Sequence, residues 1–454
     1  MIINFQDLAK DPLRKKALLI IEAGYEAIDI EKVVRKKIKL QNNKLSILGA
    51  LTHQNIDLDN YKRIFLIGIG KGSALASLSL AKILGKRLFG GIALDILKPK
   101  ITNYVPTRHL AKRGKLQTFV GTHPLPSKQN ILATQKIIKL VEGLKKDDLL
   151  ITFICGGGSA LLCASEEELK YSMLATQLLT QAGADIKELN IVRKHLSKIK
   201  GGGLAKMAYP ATVVSLIISD VPTANNDLSM VASGPTVFDK TTKKDAVHIL
   251  KKYNLQFPNS NFQLVETPKN KKYFRKVKNI LFLSNQEPIL AMAQKAKELG
   301  FKPKIYSLKL RGEAQNSFAP MMRKIKSGEA MLAGGETTVT LKNPKSKFQI
   351  TKIGKGGRNQ EAVLGMLVKM IQDARFKIQD YVFISFATDG RDNTEAAGAI
   401  GDFLTIEKAK KLKLDPKKYL EDHNSFSFFK KTGDLIYIKP RTFNVADLMI
   451  LLKQ

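Results

Sequence analysis

Cysteine is nearly absent from this chain, with only Cys155 and Cys163 among 454 residues. Their spacing fits no CxxC zinc or redox motif and no disulfide framework, so a reducing, cytoplasmic setting is expected. Long apolar runs are also missing. No stretch reaches the ~18 uninterrupted apolar residues of a membrane span. The opening MIINFQDLAKDPLRKKALLI carries charges where a signal peptide needs an apolar core. Acidic residues are scarce, 40 against 75 Lys and Arg, for a formal net charge of +35. The lysines are spread along the whole chain, outnumber the arginines and accompany no recognition motif. They read as solvated basic faces suited to anionic small substrates, with no specific nucleic acid and no membrane as partner.

What is present is ample apolar material. Hydrophobic residues make up 44% of the chain and charged ones 25%, as in an ordinary globular protein. The length exceeds what one core usually serves, so two domains are expected. Helical spacing of Ala17, Leu18, Ile21 and Tyr25 predicts helices over the first 60 residues. A regular alternation follows: strand 63–69, helix 73–84, strands 92–97 and 116–120, helix 127–144, strand 149–154, helix 166–184 and strand 212–219. Near-continuous apolar strands separated by helices predict an α/β fold, a Rossmann-like, mostly parallel sheet covered on both faces. The polar, basic stretch 239–278 is the candidate boundary. A second α/β domain is expected beyond it, with strands 279–284, 304–308, 330–333 and 381–386 and helices 287–299 and 360–370; residues 341–354 are left unassigned. The expected domains are 1–240 and 241–454, with the last segment open to packing back on the first.

Several apolar strands run straight into glycine-rich or acidic loops, and the carboxyl ends of strands are where open α/β sheets bind ligands. GIGKGS offers Gly70, Lys71, Gly72 and Ser73 ahead of a helix. It is neither Walker A nor a full GxGxxG fingerprint, and alone it is as readily a structural turn. CGGGSALL places Gly156, Gly157, Gly158 and Ser159 between strand and helix. Three adjacent glycines cost backbone entropy that a simple turn does not require, which favours a phosphate cradle. IVRKHLSKIKGGGLA brings Arg193 and Lys194 toward a second triple glycine, with His195 and Lys198 equally at home on a basic helix end. SDVPTANNDLSMVASGPT supplies Asp220 at a strand end, then Asp227, Ser233 and Gly234. Carboxylates so placed suit magnesium, although an Asx turn would equally explain Asp227.

The second half repeats the theme. AGGETTVTL gives Gly335 and Glu336. GKGGRNQEA gives Gly357, Arg358, Asn359 and Glu361 at a helix start, where a cation opposes the macrodipole unless an anion lies nearby. FATDGRDNTEAAGA gives Asp389, Arg391 and Asp392 after a buried strand, with Asp389 the favoured catalytic or metal carboxylate.

In order from about residue 65 to 401, GIGKGS, THPLPS, CGGGSALL, VRKHLSKIKGGGLA, SDV with ASGPT, GGETTVT, GGRNQE and ATDG with AAGA resemble the class II glycerate 2-kinase family. The C-terminal part of that family is the MOFRL domain, here about 328–440. The resemblance implies ATP-dependent phosphorylation of D-glycerate, normally at the 2-hydroxyl, with a divalent metal such as Mg2+ and an active site in the cleft between two domains; the sequence leaves monomer and homodimer both open. On this reading Lys71, Arg358, Asp220 and Asp389 do the chemistry. Gly70, Gly72, Ser73, Gly156, Gly157, Gly158, Ser159, Ser233, Gly234, Gly335 and Gly357 hold nucleotide phosphates. Arg193, Lys194, Glu336, Asn359 and Glu361 hold substrate, and Asp220, Asp227 and Asp389 are the metal carboxylates. The alternatives are a kinase for another hydroxy or sugar acid, a 3-phosphoglycerate-forming kinase, a hydroxypyruvate reductase, which lacks a dinucleotide fingerprint here, and a phospho-ligand-binding regulator. The sequence departs from the family's pattern in three places: the longer loop VPTANNDL after Asp220, Arg391 in place of an apolar residue, and LIYIKPRTFNVADL, where Lys439 and Arg441 replace small residues.

Overall fold

The computed structural model describes residues 1–50, 52–98, 116–220, 227–255, 264–341, 354–373 and 378–454. They form two compact units, one from residues 30–220 and 227–283 and one from Met1–Asp29 and Ser284–Gln454. None of the described helices is long and apolar enough to cross a membrane.

The first unit opens with a helix over Ile30–Lys37 and a three-stranded antiparallel sheet, Ile38–Gln41 (β1), Lys44–Leu48 (β2) and His53–Asp57 (β3). This corrects the all-helical expectation for the first 60 residues. Asn42 and Asn43 both take positive φ, which closes a two-residue hairpin whose twist matches its strands. Arg63–Ile69 (β4), Leu88–Asp95 (β5), Leu116–Val120 (β6), Asp148–Cys155 (β7), Thr212–Ile218 (β8) and Val277–Leu283 (β9) then build one sheet in the order β6-β5-β4-β7-β8-β9. Every pairing is parallel. The chain winds outward from β4 to one side, returns, and winds outward from β7 to the other, so the strand order reverses between β4 and β7.

β9 shifts the domain boundary. It pairs with β8 from Val213↔Val277 to Ile218↔Leu283, so the apolar run of residues 279–284 completes the first sheet instead of opening a second domain at 241. The helix expected over 166–184 is Glu166–Gln181, and a further helix, Ile186–His195, follows it with Asp185 as a capping box partner to Glu188. The unassigned stretch of residues 341–354 lies almost wholly outside the described residues.

The second unit centres on a mixed sheet of Lys302–Leu310 (β10), Glu329–Gly335 (β11), Tyr381–Ala387 (β12), Gly398–Asp402 (β13), Leu435–Ile436 (β14) and Asp447–Lys453 (β15), ordered β10-β11-β15-β12-β13-β14. Only β10 and β11 run parallel. The final strand thus fills the middle of its own unit's sheet. The helix Arg358–Gln372 is buried almost all round, against Phe318, Phe383 and Phe429 on one side of the sheet. On the other side lies the N-terminal helix Pro12–Glu26, whose Leu18, Ile21 and Tyr25 join Met292, Ile384 and Ile450. That helix therefore belongs to the unit of the C-terminal residues, not to a domain of residues 1–240.

Candidate active site

At the reversal between β4 and β7 the two leading loops are bound together. The Lys71 amide donates to the Gly156 carbonyl at 2.9 Å, and Gly70 at φ +107 approaches Cys155 so closely that a β-carbon there would lie 2.4 Å from the Cys155 oxygen. Gly156 is required for a similar reason, since a β-carbon on it would lie 1.9 Å from Asp220 Oδ2. Lys71, Gly156 and Asp220 thus lie together. Gly157, at φ +78, opens the short helix Gly158–Leu161, and over it lie Lys71 and His123, each with a carbon 3.1 Å from where a β-carbon would sit. Among the described residues the amides of Gly157, Gly158 and Ser159 meet no acceptor, as the first amides of a helix do unless something caps them.

The electrostatics of this corner are cationic. The part of the His123 ring enclosed by protein, and after it the charges of Lys71 and Arg193, pull the imidazole down to about 4. Burial pushes the Asp220 carboxyl above its ordinary value, with Lys71 pulling the other way. Arg193 is half-buried, its guanidinium donates to Thr176 Oγ1 at 3.1 Å, and burial lowers its affinity for a proton. Ser159 and Ser233 share a hydrogen bond of 2.9 Å, and Ser233 donates onward to Asn190 Oδ1 at 3.0 Å.

Other predicted phosphate-binding groups are engaged elsewhere. The GIGKGS helix start is closed by a carboxylate of the protein itself, because Asp95 at the end of β5 accepts from the amides of Gly72 at 3.2 Å and Ala74 at 3.0 Å. Ser73 Oγ donates to the Leu94 carbonyl. In this loop only Lys71 is left facing outward. The second triple glycine is structural, since the amides of Gly201 and Gly202 donate to the carbonyls of Ser233 and Gly234. Lys194, expected on substrate, is buried and paired with Asp239 at 3.1 Å. Asp227 caps the turn that follows it through the Ser229 amide at 3.1 Å, the Asx-turn alternative.

In the second unit an open cleft of about 640 Å³ is lined by Glu336, Arg358, Glu361, Asp389, Arg391, Asp392 and His423, with Gly357 at its edge. Several predicted residues meet here, but their pairings differ from those expected. Arg358 is held by Asp447, at 2.5 Å and 3.1 Å, and by Glu336 at 2.8 Å, so it neutralises protein carboxylates where an anionic ligand was expected. Asp392 accepts from the Asn359 amide at 3.1 Å and the Gln360 amide at 2.9 Å, capping the helix behind Gly357 as Asp95 caps the other. Burial, and then the charge of Asp447, pushes Asp392 up to about 7. Asn359 is spent on Asp392 and on Ser385, and Glu361 accepts from His423 Nδ1 at 2.8 Å. Gly335 serves a close approach of β10, with a β-carbon there lying 2.2 Å from the Leu310 oxygen. Asp389 is half-buried, and its carboxylate accepts from the Arg391 amide at 3.0 Å. Among the described residues no three His, Cys, Asp or Glu side chains converge as a closed metal site would need.

Sequence reasoning did not single out His123, Asp95, Asp447 or His423. His123 stood inside THPLPS, a segment quoted as a motif without a role; the other three act through partners far off in the chain.

The strand order defines the class, a doubly wound α/β protein with glycine-rich loops at the carboxyl ends of β4 and β7, where such sheets bind ligands. Residues 16–266 match the domain of unknown function DUF4147, and residues 329–447 match the MOFRL family. The glycerate 2-kinase of Pyrococcus horikoshii is 32% identical, over 96% of this chain and 97% of its own. The D-glycerate 2-kinase of Thermotoga maritima is 30% identical, over 97% and 98%. A crystal structure of the Thermotoga maritima glycerate kinase superimposes with a TM-score of 0.79 at 29% identity, covering 97% of this chain and 99% of that one. The chain belongs to the class II glycerate kinase (MOFRL) family.

Proposed function

We propose that this protein is a cytoplasmic kinase that transfers a phosphoryl group from ATP to D-glycerate, at the 2-hydroxyl, with Mg2+. The observation that carries the reading is the uncapped Gly157–Ser159 start beneath Lys71 and His123, with Asp220 held over Gly156. Phosphoryl transfer asks a protein mainly for positioning and charge neutralisation. The three amides orient phosphate oxygens, the Lys71 ammonium balances charge on the transferring group, and Arg193 receives the substrate carboxylate. Asp220, raised by burial, is suited to accept the proton of the attacking hydroxyl. Magnesium is commonly held by one or two carboxylates together with phosphate oxygens and water, a need that a lone carboxylate such as Asp389 meets without a closed protein cage. We assign Asp389, on the open cleft of its own unit, to Mg2+, an ion that when bound would neutralise phosphate charge.

The test is a coupled ADP assay over glycerate, hydroxypyruvate, tartronate and sugar acids, with phosphorus NMR of the product. Glycerate-dependent, Mg2+-dependent ADP release with a 2-phosphoglycerate signal is expected. Absence of glycerate-dependent ADP release overturns the proposal, and a 3-phosphoglycerate signal overturns its regiochemistry.

A further inference from the structure

The turn that presents Asp389 is fastened to the segment of residues 438–446, the part of the chain where Lys439 and Arg441 replace small residues. Thr388 Oγ1 donates to the Ala446 carbonyl at 2.7 Å and accepts from the Val445 amide at 3.0 Å. The Arg441 amide donates to the Asp389 carbonyl at 2.9 Å. Gly390, at φ +86, lets Pro440 lie close, with its Cα 3.2 Å from where a β-carbon would sit. The segment is in turn held from outside. The Arg441 guanidinium stacks 3.7 Å from the centre of the Tyr25 ring, and the Tyr25 hydroxyl donates to the Lys439 carbonyl. Tyr25 is only 2% exposed and sits in the last turn of the N-terminal helix, more than four hundred residues earlier.

A half-buried arginine over a buried tyrosine is an expensive arrangement for filling space. Burial lowers the affinity of Arg441 for its proton, and its Nη1 is buried without a hydrogen-bond partner. An apolar pair would fill the same volume without that loss. What the arginine adds is a planar cation that grips the ring face while its own backbone amide reaches Asp389. Tyr25 fixes both ends of the Lys439–Arg441 stretch, Lys439 through its carbonyl and Arg441 through its side chain.

We infer that Tyr25 and Arg441 are positioning residues, a clamp from the N-terminal helix that sets the Asp389 carboxylate. This rests on the reading of Asp389 as an active-site carboxylate, although the clamp itself is a matter of geometry. Tyr25→Leu keeps apolar bulk and removes both ring face and hydroxyl; Arg441→Ala removes the other half; Tyr25→Phe keeps the stack. Tyr25→Leu and Arg441→Ala are expected to lower kcat about tenfold or more, the scale of a displaced catalytic group, while the KM for glycerate moves much less and the melting temperature shows each variant folded. Tyr25→Phe is expected to retain most of the activity.

Two further measurements separate a clamp from general support. Hydrogen exchange should quicken in peptides spanning 385–392 and 438–446 of Tyr25→Leu and stay unchanged elsewhere. In an Asp389→Asn background, whose residual turnover is followed over long incubations, neither substitution should lower activity further, because the group they position is already lost. Unchanged exchange in those peptides, or a full additive loss on top of Asp389→Asn, overturns the inference. If Asp389→Asn alone is as active as the parent, the role assigned to Asp389 falls, and the exchange measurement still decides whether the clamp exists.

Discussion

At the scale of single residues, His123 reports on the corner where the phosphate is proposed to sit. Its pKa near 4 lies below the ordinary histidine value of about 6.5, so it is neutral at neutral pH in the ligand-free protein. The sign follows directly: the native state binds fewer protons than the unfolded chain between those values, and this histidine's contribution to stability is lost as pH falls from about 6.5 through about 4. An anion on the Gly157–Ser159 amides favours the imidazolium, so binding takes up a proton. Sulfate, whose charge is constant in this range, should bind more tightly at about pH 5 than at about pH 7, and the His123 ring signals should titrate at higher pH in its presence. Protonation of Asp220, raised by burial, would act in the same direction. His123→Asn separates the two: if it leaves the pH dependence intact, His123 does not face the anion.

At the scale of elements, two glycine-led helices look like anion sites in the sequence and are closed by aspartates from neighbouring strands. Asp95 caps Ser73–Leu84 and Asp392 caps Arg358–Gln372. Removing such a cap leaves two amides unpaired. Asp95→Ala should lower stability by about 1–2 kcal/mol in urea denaturation, the usual worth of a side-chain cap, and an unshifted midpoint would rule the capping role out. These elements also mark how far the sequence can be read. Strand 63–69, helix 73–84 and strand 116–120 match residue for residue, because apolar periodicity is a local signal. The fate of the loops is not local. The triple glycines 156–158 and 201–203 read alike, yet one leaves its amides open and the other spends two of them on Ser233 and Gly234. Asp95 lies 23 residues from the amide it caps, and Asp447 lies 89 from Arg358, so neither pairing leaves a trace in a short window. The hairpin at Asn42–Asn43 did leave one, outweighed by the helical spacing just before it.

At the scale of the whole molecule, Arg14 is a fully buried charge whose guanidinium bonds both Asp402 oxygens, Asp434 at 2.8 Å and Thr405 at 2.9 Å. Lys408 also reaches Asp434. Arg14→Met would strand Asp402 in the interior without a cation, at a cost of about 3–5 kcal/mol. Thermal melting should show it as a marked drop, and a melting point equal to the parent's would mean that the cluster holds nothing. The same contact governs how the protein comes into being. Arg14 leaves the ribosome 420 residues before Asp434, a delay of roughly 20 to 80 s at ordinary translation rates. The unit ending at Leu283 has its whole parallel sheet in hand long before then. The helix Pro12–Glu26 must wait, its Arg14 charge unpaired, until Asp402 and Asp434 are made, so some of the earliest residues synthesised are among the last to find their partners.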